Sequence, residues 1–408
     1  MSTVRPFRAL RPPPQTAAAI SAVPYDVVST SEARALAAGN PLSFLHVSRP
    51  EIGLPDGTDP YSDPVYERAA GNFQRLKRAA PLSAEAAPAL YVYRLQMGDH
   101  QQTGVAGCVS VDEYDAGAVR KHERTRRDKE DDRTRHMLRL RAQTGPVLLT
   151  YRGRAEIDST VAQIQREPPL YDFTAADGVS HTLWRALPAA ATSLSEAFGA
   201  VPLLYIADGH HRAASASRAR HELRAANPSH TGREAYNFFL AVVFPAGQLR
   251  ILPYNRVVRD LAGRTPEAFL AELARFCPAR EGAPACPARK GEVSVYLSGR
   301  WHRLELPKPA GAGAIVSLDA DLLQRHVLEP LLGIKDVRTD KRIDFVGGIR
   351  GTGELEKLVD SGAAAVAFSM YPVSLEELMA VSDTGQIMPP KSTWFEPKLR
   401  DGLLIHEI

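Results

Sequence analysis

The sequence predicts an α+β fold: mixed sheets through most of the chain and a smaller layered α/β unit toward its carboxyl end. Three observations predict it. The chain has 408 residues, more than one hydrophobic core usually serves, so two or three packed units are expected. The β-rich runs come in neighbouring pairs around turn residues, as antiparallel pairing requires. From Asp319 to Asp383 the order is helix, strand, helix, strand, helix, an alternation that builds a layered unit. The expected divisions are 1–88, an N-terminal region packing on the core; 89–290, the core; and 291–408, the C-terminal unit with a docked tail.

The elements follow in order. "AVPYDVVSTSEARALAAGNP" reads as an extended segment and then a short helix from Thr30, stopped by Gly39, Asn40 and Pro41. Val65, Ala69, Phe73 and Leu76 recur at helical spacing. "ALYVYRLQM" and "TGVAGCVSV" flank Gly98-Asp99-His100 as a strand pair, and "TGPVLLTY" is a further strand. Two β-rich runs around Pro245-Ala246-Gly247 predict a hairpin beside the strand Leu203 to Ala207. Thr265 and Pro266 start an amphipathic helix, "PAREGAPACPARKG" is a loop, and "EVSVYLSGRWHRLEL" is a hairpin turning at Ser298-Gly299-Arg300.

Composition narrows the function classes. A net charge of +3 with basic residues spread along the chain leaves no footprint of a nucleic-acid binder, so small ligands are expected instead. The three cysteines, at 108, 277 and 286, form no CxxC pair and no zinc-finger spacing, which predicts a reducing, cytoplasmic setting. Arg5, Arg8 and Arg11 are followed by no apolar signal-like region, and no run of about 18 apolar residues occurs, so neither export nor a membrane span is expected.

The chemistry concentrates in "LLYIADGHHRAASASRARHEL", residues 203–223. Leu203 to Ala207 would be buried in a sheet and release Asp208 at its carboxyl end, where open α/β sheets place ligands. A helix follows at once, and its first-turn amides lack intrahelical partners and carry the positive end of the macrodipole. Gly209, His210, His211 and Arg212 are therefore a predicted phosphate cradle, with Gly209 admitting the anion and Arg212 forking onto two phosphate oxygens. A helix N-cap would account for Asp208 alone. It would not account for two histidines and an arginine.

The run from Arg120 to Arg135 holds thirteen charged residues out of sixteen, eight basic and five acidic. Mixed charge of this kind suits a solvated helix with i,i+4 pairs. It also suits a site, because His122 and Glu123 precede a helix start expected at Thr125 with Asp128 as its capping-box partner, which leaves Glu123 in a loop. Lys391, Ser392 and Thr393 offer a cation and two hydroxyls to a phosphate or a carboxylate, or else belong to a tail docked by Trp394, Phe395 and Leu399. Tyr25-Asp26 reads equally as a turn cap or a ligand contact.

The segments "RPFRALRP", "VPYDVV", "NPLSFLHVSRPE", "HERTRRDKEDDR", "YIADGHHR" and "MPPKSTWFEPKLRDGL" together resemble a bacterial and archaeal domain-of-unknown-function family, number ten-fifteen. That family is similar to the SerK-type free-serine kinases, whose core resembles the ParB and sulfiredoxin fold. The resemblance implies a nucleotide-dependent kinase that phosphorylates the hydroxyl of free L-serine, with ATP or ADP as donor and Mg²⁺ as cofactor. It maps an acid pair onto Glu123 and Asp208, Glu123 as base and Asp208 as base-assisting or a Mg²⁺ ligand. His210, His211 and Arg212 would hold phosphates, with His122, Arg126, Lys391, Ser392 and Thr393 as further substrate or phosphate contacts. No Walker or protein-kinase motif is present, and His210 stands where sulfiredoxins carry their cysteine. A ParB-like nucleotide switch should add a helix-turn-helix and a basic face, and neither is legible. A non-catalytic metabolite sensor would use the same pocket.

Overall fold

A computed structural model describes residues 2–277, 279–307, 313, 315 and 317–408. The chain divides into two compact units, the first comprising Met1–Lys121, Thr125–Leu249 and Pro397–Ile408, the second His122–Arg124 and Arg250–Glu396. The expected divisions after residues 88 and 290 fall elsewhere. Val4–Arg5 pairs with Val109 and Cys108, and Phe7 and Ala89 bridge, so the N-terminal region shares the first unit's sheet.

The first unit is built on a mixed nine-stranded sheet, ordered Val119–Arg120, Leu204–Asp208, Val147–Tyr151, Phe238–Pro245, His100–Ser110, Tyr91–Met97, Ser180–Arg185 and Tyr171–Thr174, with Val4–Arg5 added against His100–Ser110. Leu204–Asp208 is parallel to Val119–Arg120, Phe238–Pro245 is parallel to Val147–Tyr151, and the other pairs are antiparallel. Phe238–Pro245 is an unbroken apolar run because it is central and buried on both faces. The helix His210–Ala225 turns Ala213, Ala216 and Ala219 into the core, where it packs chiefly against the helix Arg127–Leu140. Short side chains suit that helix–helix contact. A second apolar cluster gathers Ile20, Phe44, Phe73, Leu76 and Ile405.

The second unit carries a six-stranded antiparallel sheet, ordered Ala279–Glu281, Arg300–Glu305, Glu292–Leu297, Val366–Met370, Tyr254–Val258 and Ile343–Gly347. Alternation decides its two faces. Val258, Val293, Val295 and Phe368 join the larger cluster with Phe269 and Leu273 of the helix Pro266–Phe276, while Val257, Tyr296 and Ala367 join Leu355 of the helix Gly353–Asp360. The Ser298-Gly299 hairpin forms as expected, both residues at positive φ, 49° and 79°.

Two expectations are corrected. Phe238–Pro245 and Arg250–Leu252 do not form a hairpin: both edges of the first strand are taken by His100–Ser110 and Val147–Tyr151, and Arg250–Leu252 pairs with Trp394–Glu396 in the second unit. Nor does Phe238–Pro245 lie beside Leu204–Asp208, because Val147–Tyr151 stands between them. The loop expected over 278–291 contributes the short strand Ala279–Glu281, while Pro278 lies outside the described residues.

Candidate active site

The strand Leu204–Asp208 ends at Gly209, whose backbone turns into the left-handed region at φ 95° and ψ 31° before the helix begins. Glycine is required twice over, since a Cβ here would also meet Arg212 Nε at 3.0 Å. No side chain caps the helix, so Asp208 is not its N-cap. Instead Asp208 Oδ2 accepts from Lys398 Nζ at 3.3 Å and Arg212 Nη2 at 3.4 Å. Burial alone would raise the Asp208 carboxyl, but Lys398 and then Arg212 outweigh it and hold the group well below the usual carboxylate range.

Arg212 is 8% exposed. Its Nη1 donates to the Pro146 carbonyl and Nη2 to Asp208, so the fork expected to grip two phosphate oxygens is spent within the protein. Its Nε is buried and, among the described residues, has no hydrogen-bond partner. His210 is buried, and His211 Nε2 accepts from the Arg126 backbone N–H at 3.0 Å, which places the neutral ring's proton on Nδ1. The turn and the start of the charge run are thereby held side by side.

The charged helix runs from Arg127 to Leu140, with Arg126 as its cap residue. The capping box expected of Thr125 and Asp128 does not form, because the Thr125 hydroxyl bonds Glu130 and Asp128 pairs with Arg126 at 2.8 Å. One face does meet the solvated-helix expectation only in part: Arg218 crosses to Glu130 at 3.3 Å and Asp131 at 2.5 Å. The inner face is buried. Asp132 accepts from Tyr66 Oη at 2.9 Å and from Arg133 Nε at 2.8 Å, and the Arg133 guanidinium lies 4.1 Å from the centre of the Tyr25 ring. His136 donates from Nε2 to the Val47 carbonyl at 2.9 Å, and burial pushes it down to about 4, so it is neutral at ordinary pH.

These residues surround a cavity of about 40 Å³ inside the first unit, room for about three waters. Tyr25, Ser48, Arg133, Thr144, Arg212 and Asp401 line it. The six come from VPYDVV, NPLSFLHVSRPE, HERTRRDKEDDR, TGPVLLTY, YIADGHHR and MPPKSTWFEPKLRDGL, which makes the cavity the common meeting place of these segments. Tyr25 thus faces an interior space, while Asp26 stays exposed. Asp401 is 3% exposed, and Gly145 passes so close that a Cβ there would meet its Oδ1 at 2.5 Å. Burial pushes the Asp401 carboxyl up to about 7, with Arg212 opposing and Asp26 adding to the rise.

The remaining expected site residues, His122, Glu123, Lys391, Ser392 and Thr393, belong to the second unit. Glu123 lies outside any helix, as expected. The His122 carbonyl accepts from Met388 N at 2.8 Å, and its Nε2 lies 3.3 Å from Thr393 Oγ1. Ser392 Oγ donates to the Pro389 carbonyl at 2.6 Å. Lys391, at a positive φ of 56°, places Nζ 5.4 Å from the Tyr254 ring, and its carbonyl accepts from Arg256 Nη2 at 3.4 Å. Arg256 is buried, its hydrogen-bond acceptors among the described residues are the Tyr254 and Lys391 carbonyls, and burial pushes it down to about 10.

Sequence reasoning missed Arg133, Lys398 and Asp401. The signal for the last two was an Asp-Gly turn, with Gly402 at φ 86°, set in a run whose apolar members Leu399, Leu403 and Leu404 are buried. Charges embedded in buried sequence need partners.

A family model described as a protein of unknown function (DUF1015) matches residues 4–323. No curated protein matches the chain. Among solved structures, it is similar to a free serine kinase in complex with AMP, at 12% identity and a TM-score of 0.37 over 71% of this chain and 86% of that one. It is similar to a conserved hypothetical protein from Pyrococcus furiosus at 13% identity and a TM-score of 0.36, over 73% of this chain and 94% of that one. SbnI with a C-terminal truncation, from Staphylococcus aureus, matches at 12% identity and a TM-score of 0.39 over 72% and 84% of the two chains. Among the described residues no helix is long and apolar enough to cross a membrane.

Proposed function

The chain belongs to the DUF1015 family, and from that membership and its charged strand-to-helix turn we propose a nucleotide-dependent phosphotransferase that phosphorylates the hydroxyl of free L-serine. One observation carries the reading: an uncapped sixteen-residue helix starts at a left-handed glycine directly after a sheet strand, with Asp208, Lys398 and Arg212 locked beneath it. Helix amides and a local excess of cations favour phosphate. Because Arg212 spends its fork on Pro146 and Asp208, its part is to brace the turn and supply charge, while the turn's backbone and His210 take the phosphate oxygens.

The two acids separate by role. A carboxylate held ionised by two cations is a weak proton acceptor, so Asp208 orients charge and Glu123 is assigned the serine proton. In the transfer, the serine oxygen forms a bond to the terminal phosphorus of ATP or ADP as its proton passes to Glu123. The bond to the leaving nucleotide oxygen breaks, yielding O-phosphoserine and the shortened nucleotide. Asp208, ionised beside Lys398 and Arg212, would be the carboxylate to hold Mg²⁺, an ion usually held by one or two carboxylates together with the nucleotide's phosphates. When bound, Mg²⁺ would neutralise phosphate charge.

The test is direct. Protein, Mg²⁺, L-serine and either ATP or ADP should give O-phosphoserine by ³¹P NMR, and Glu123→Gln should lower turnover about 10²–10⁴-fold while leaving nucleotide affinity unchanged. Nucleotide binding without product, from wild type with either donor, would overturn the kinase reading in favour of a sensor. Full turnover in Glu123→Gln would remove the base assignment.

A further inference from the structure

The cavity of the first unit shares Arg212 with the turn described above and has an unusual chemical imbalance. Several polar groups on its wall are matched: Arg133 by Asp132 and the Ser48 carbonyl, His136 by the Val47 carbonyl, Gln143 by the Phe238 carbonyl and the Leu240 N–H. Two groups on charged side chains are not. Arg212 Nε is a buried donor with no acceptor among the described residues, and the Asp401 carboxyl on the same wall is acted on by Arg212, Arg133 and Arg400 through their charge, with no hydrogen bond to its oxygens among the described residues. Both residues are more than nine-tenths buried. A buried donor without an acceptor and a buried carboxyl without a donor are what a small polar ligand would satisfy.

The partner must therefore offer an acceptor to an arginine and a donor to a carboxylate at once, within about 40 Å³ of space. That is room for about three waters, or roughly 90 Å³ of liquid volume. Building on the proposed function, we infer that this cavity binds a small zwitterionic α-amino acid, with its carboxylate toward Arg212 and its ammonium on Asp401. Asp401 is then a binding residue for the phosphoryl acceptor, a role that neither the DGHHR turn nor the HE motif supplies.

The charge balance around Asp401 fits. The charged groups acting on it are Arg212 on the helix His210–Ala225, Asp26 on the N-terminal segment, Arg133 on the charged helix and Arg400 on its own segment, and the titratable Tyr25 and His136 share the cavity wall. Arg133 is compensated by Asp132, and Arg400 by Asp177 and the ring of His181. Burial without a dedicated partner keeps part of the Asp401 population protonated near neutrality. An ammonium seated on it would favour the ionised form, so binding below neutral pH must release a proton. Affinity should rise with pH toward about 7 and level off above.

Isothermal titration of the nucleotide-free full chain with L-serine, in buffers of different ionisation enthalpy, tests this without turnover. Serine and L-alanine should both bind and release protons at pH 6 but not at pH 8.5. L-Lactate, which keeps the carboxylate and hydroxyl but lacks the ammonium, should bind at least tenfold more weakly. Asp401→Asn should weaken serine binding at least tenfold and abolish the proton release. The lactate comparison uses wild type only and survives any folding defect in the variant. The inference is overturned by serine binding without proton release, by lactate binding as tightly as serine, or by no serine binding at all. The two proposals fail separately: serine binding as described without O-phosphoserine formation sinks the kinase reading alone, and turnover with serine affinity untouched by Asp401→Asn sinks the pocket alone.

Discussion

At the carboxyl end of the strand Leu204–Asp208, a carboxylate meets Lys398 at 3.3 Å and Arg212 at 3.4 Å; in the segment that follows Pro397, Asp401 lies within the field of the same Arg212 but its carboxyl accepts no hydrogen bond among the described residues. Both groups pay for burial, yet Asp208 is held low and Asp401 is pushed up. Depth and donors act together here, since the Asp208 side chain is 29% exposed and Asp401 only 3%. Donors that reach the oxygens stabilise the ionised form, and the more deeply buried carboxyl has none among the described residues. Two carboxyls around one guanidinium are thereby fitted to opposite tasks, one to hold fixed negative charge and the other to exchange a proton with what enters.

The largest expected effect comes from removing the shared cation. Arg212→Ala leaves Asp208 with Lys398 alone, strands the Pro146 carbonyl and opens space under Gly209. Breaking a buried pair of this kind costs about 3–5 kcal/mol, to be read as a lower urea midpoint. A loss below about 1 kcal/mol would mean that the arginine is not the hub of both carboxyls.

Next comes the pH dependence of stability, where the two acids predict opposite slopes. Asp401 has a raised carboxyl, so its contribution is full below the ordinary range near 3.8 and is lost as pH rises toward about 7. Each unit is worth 1.36 kcal/mol, which bounds the change at about 4 kcal/mol. Denaturation of wild type and Asp401→Asn at pH 5 and pH 8 should show the variant gaining relative stability at the higher pH. Asp208 has a lowered carboxyl, so its contribution is present above its unfolded value and is lost on acidification. Asp208→Asn should therefore cost most at neutral pH and progressively less below about pH 4. Parallel slopes in the two variants would dissolve the contrast.

The smallest effect is a control. Ser29 caps the helix Thr30–Ala37 through a capping box with Glu32. Ser29→Ala should cost about 1 kcal/mol and leave both pH slopes and serine affinity unchanged, which separates loss of stability from loss of the site.

Local pattern carried much of this structure. Helical spacing found Asp63–Ala79, turn chemistry found the hairpins at Gly98 and Ser298, and alternation found the layered order after Asp319. The DGHHR turn was legible because a strand, a glycine and a helix follow one another without a gap. What sequence could not show is which distant segments answer one another. The strand Phe238–Pro245 looked like half of a hairpin because its neighbour in sequence was β-rich, but its hydrogen bonds went to strands more than eighty residues earlier. Likewise the charge run looked like surface, because composition cannot say that Asp132, Arg133 and His136 share its inner face. Lys398 was overlooked since its partner, Asp208, lies 190 positions away.

The first unit is interrupted: the chain leaves it after Leu249 and re-enters at Pro397, so the intervening Arg250–Glu396 must be synthesised before Lys398 and Asp401 exist. At about 5–20 residues per second, a growing polypeptide spends on the order of ten seconds or more with Asp208 and Arg212 in place but Lys398 and Asp401 missing. Over that interval the nine-stranded sheet can assemble around a pocket that has one wall absent and a carboxylate only half compensated. The order of translation thus works as a timer, and neither the pocket nor its charge balance is complete until the ribosome has passed the whole of the inserted unit.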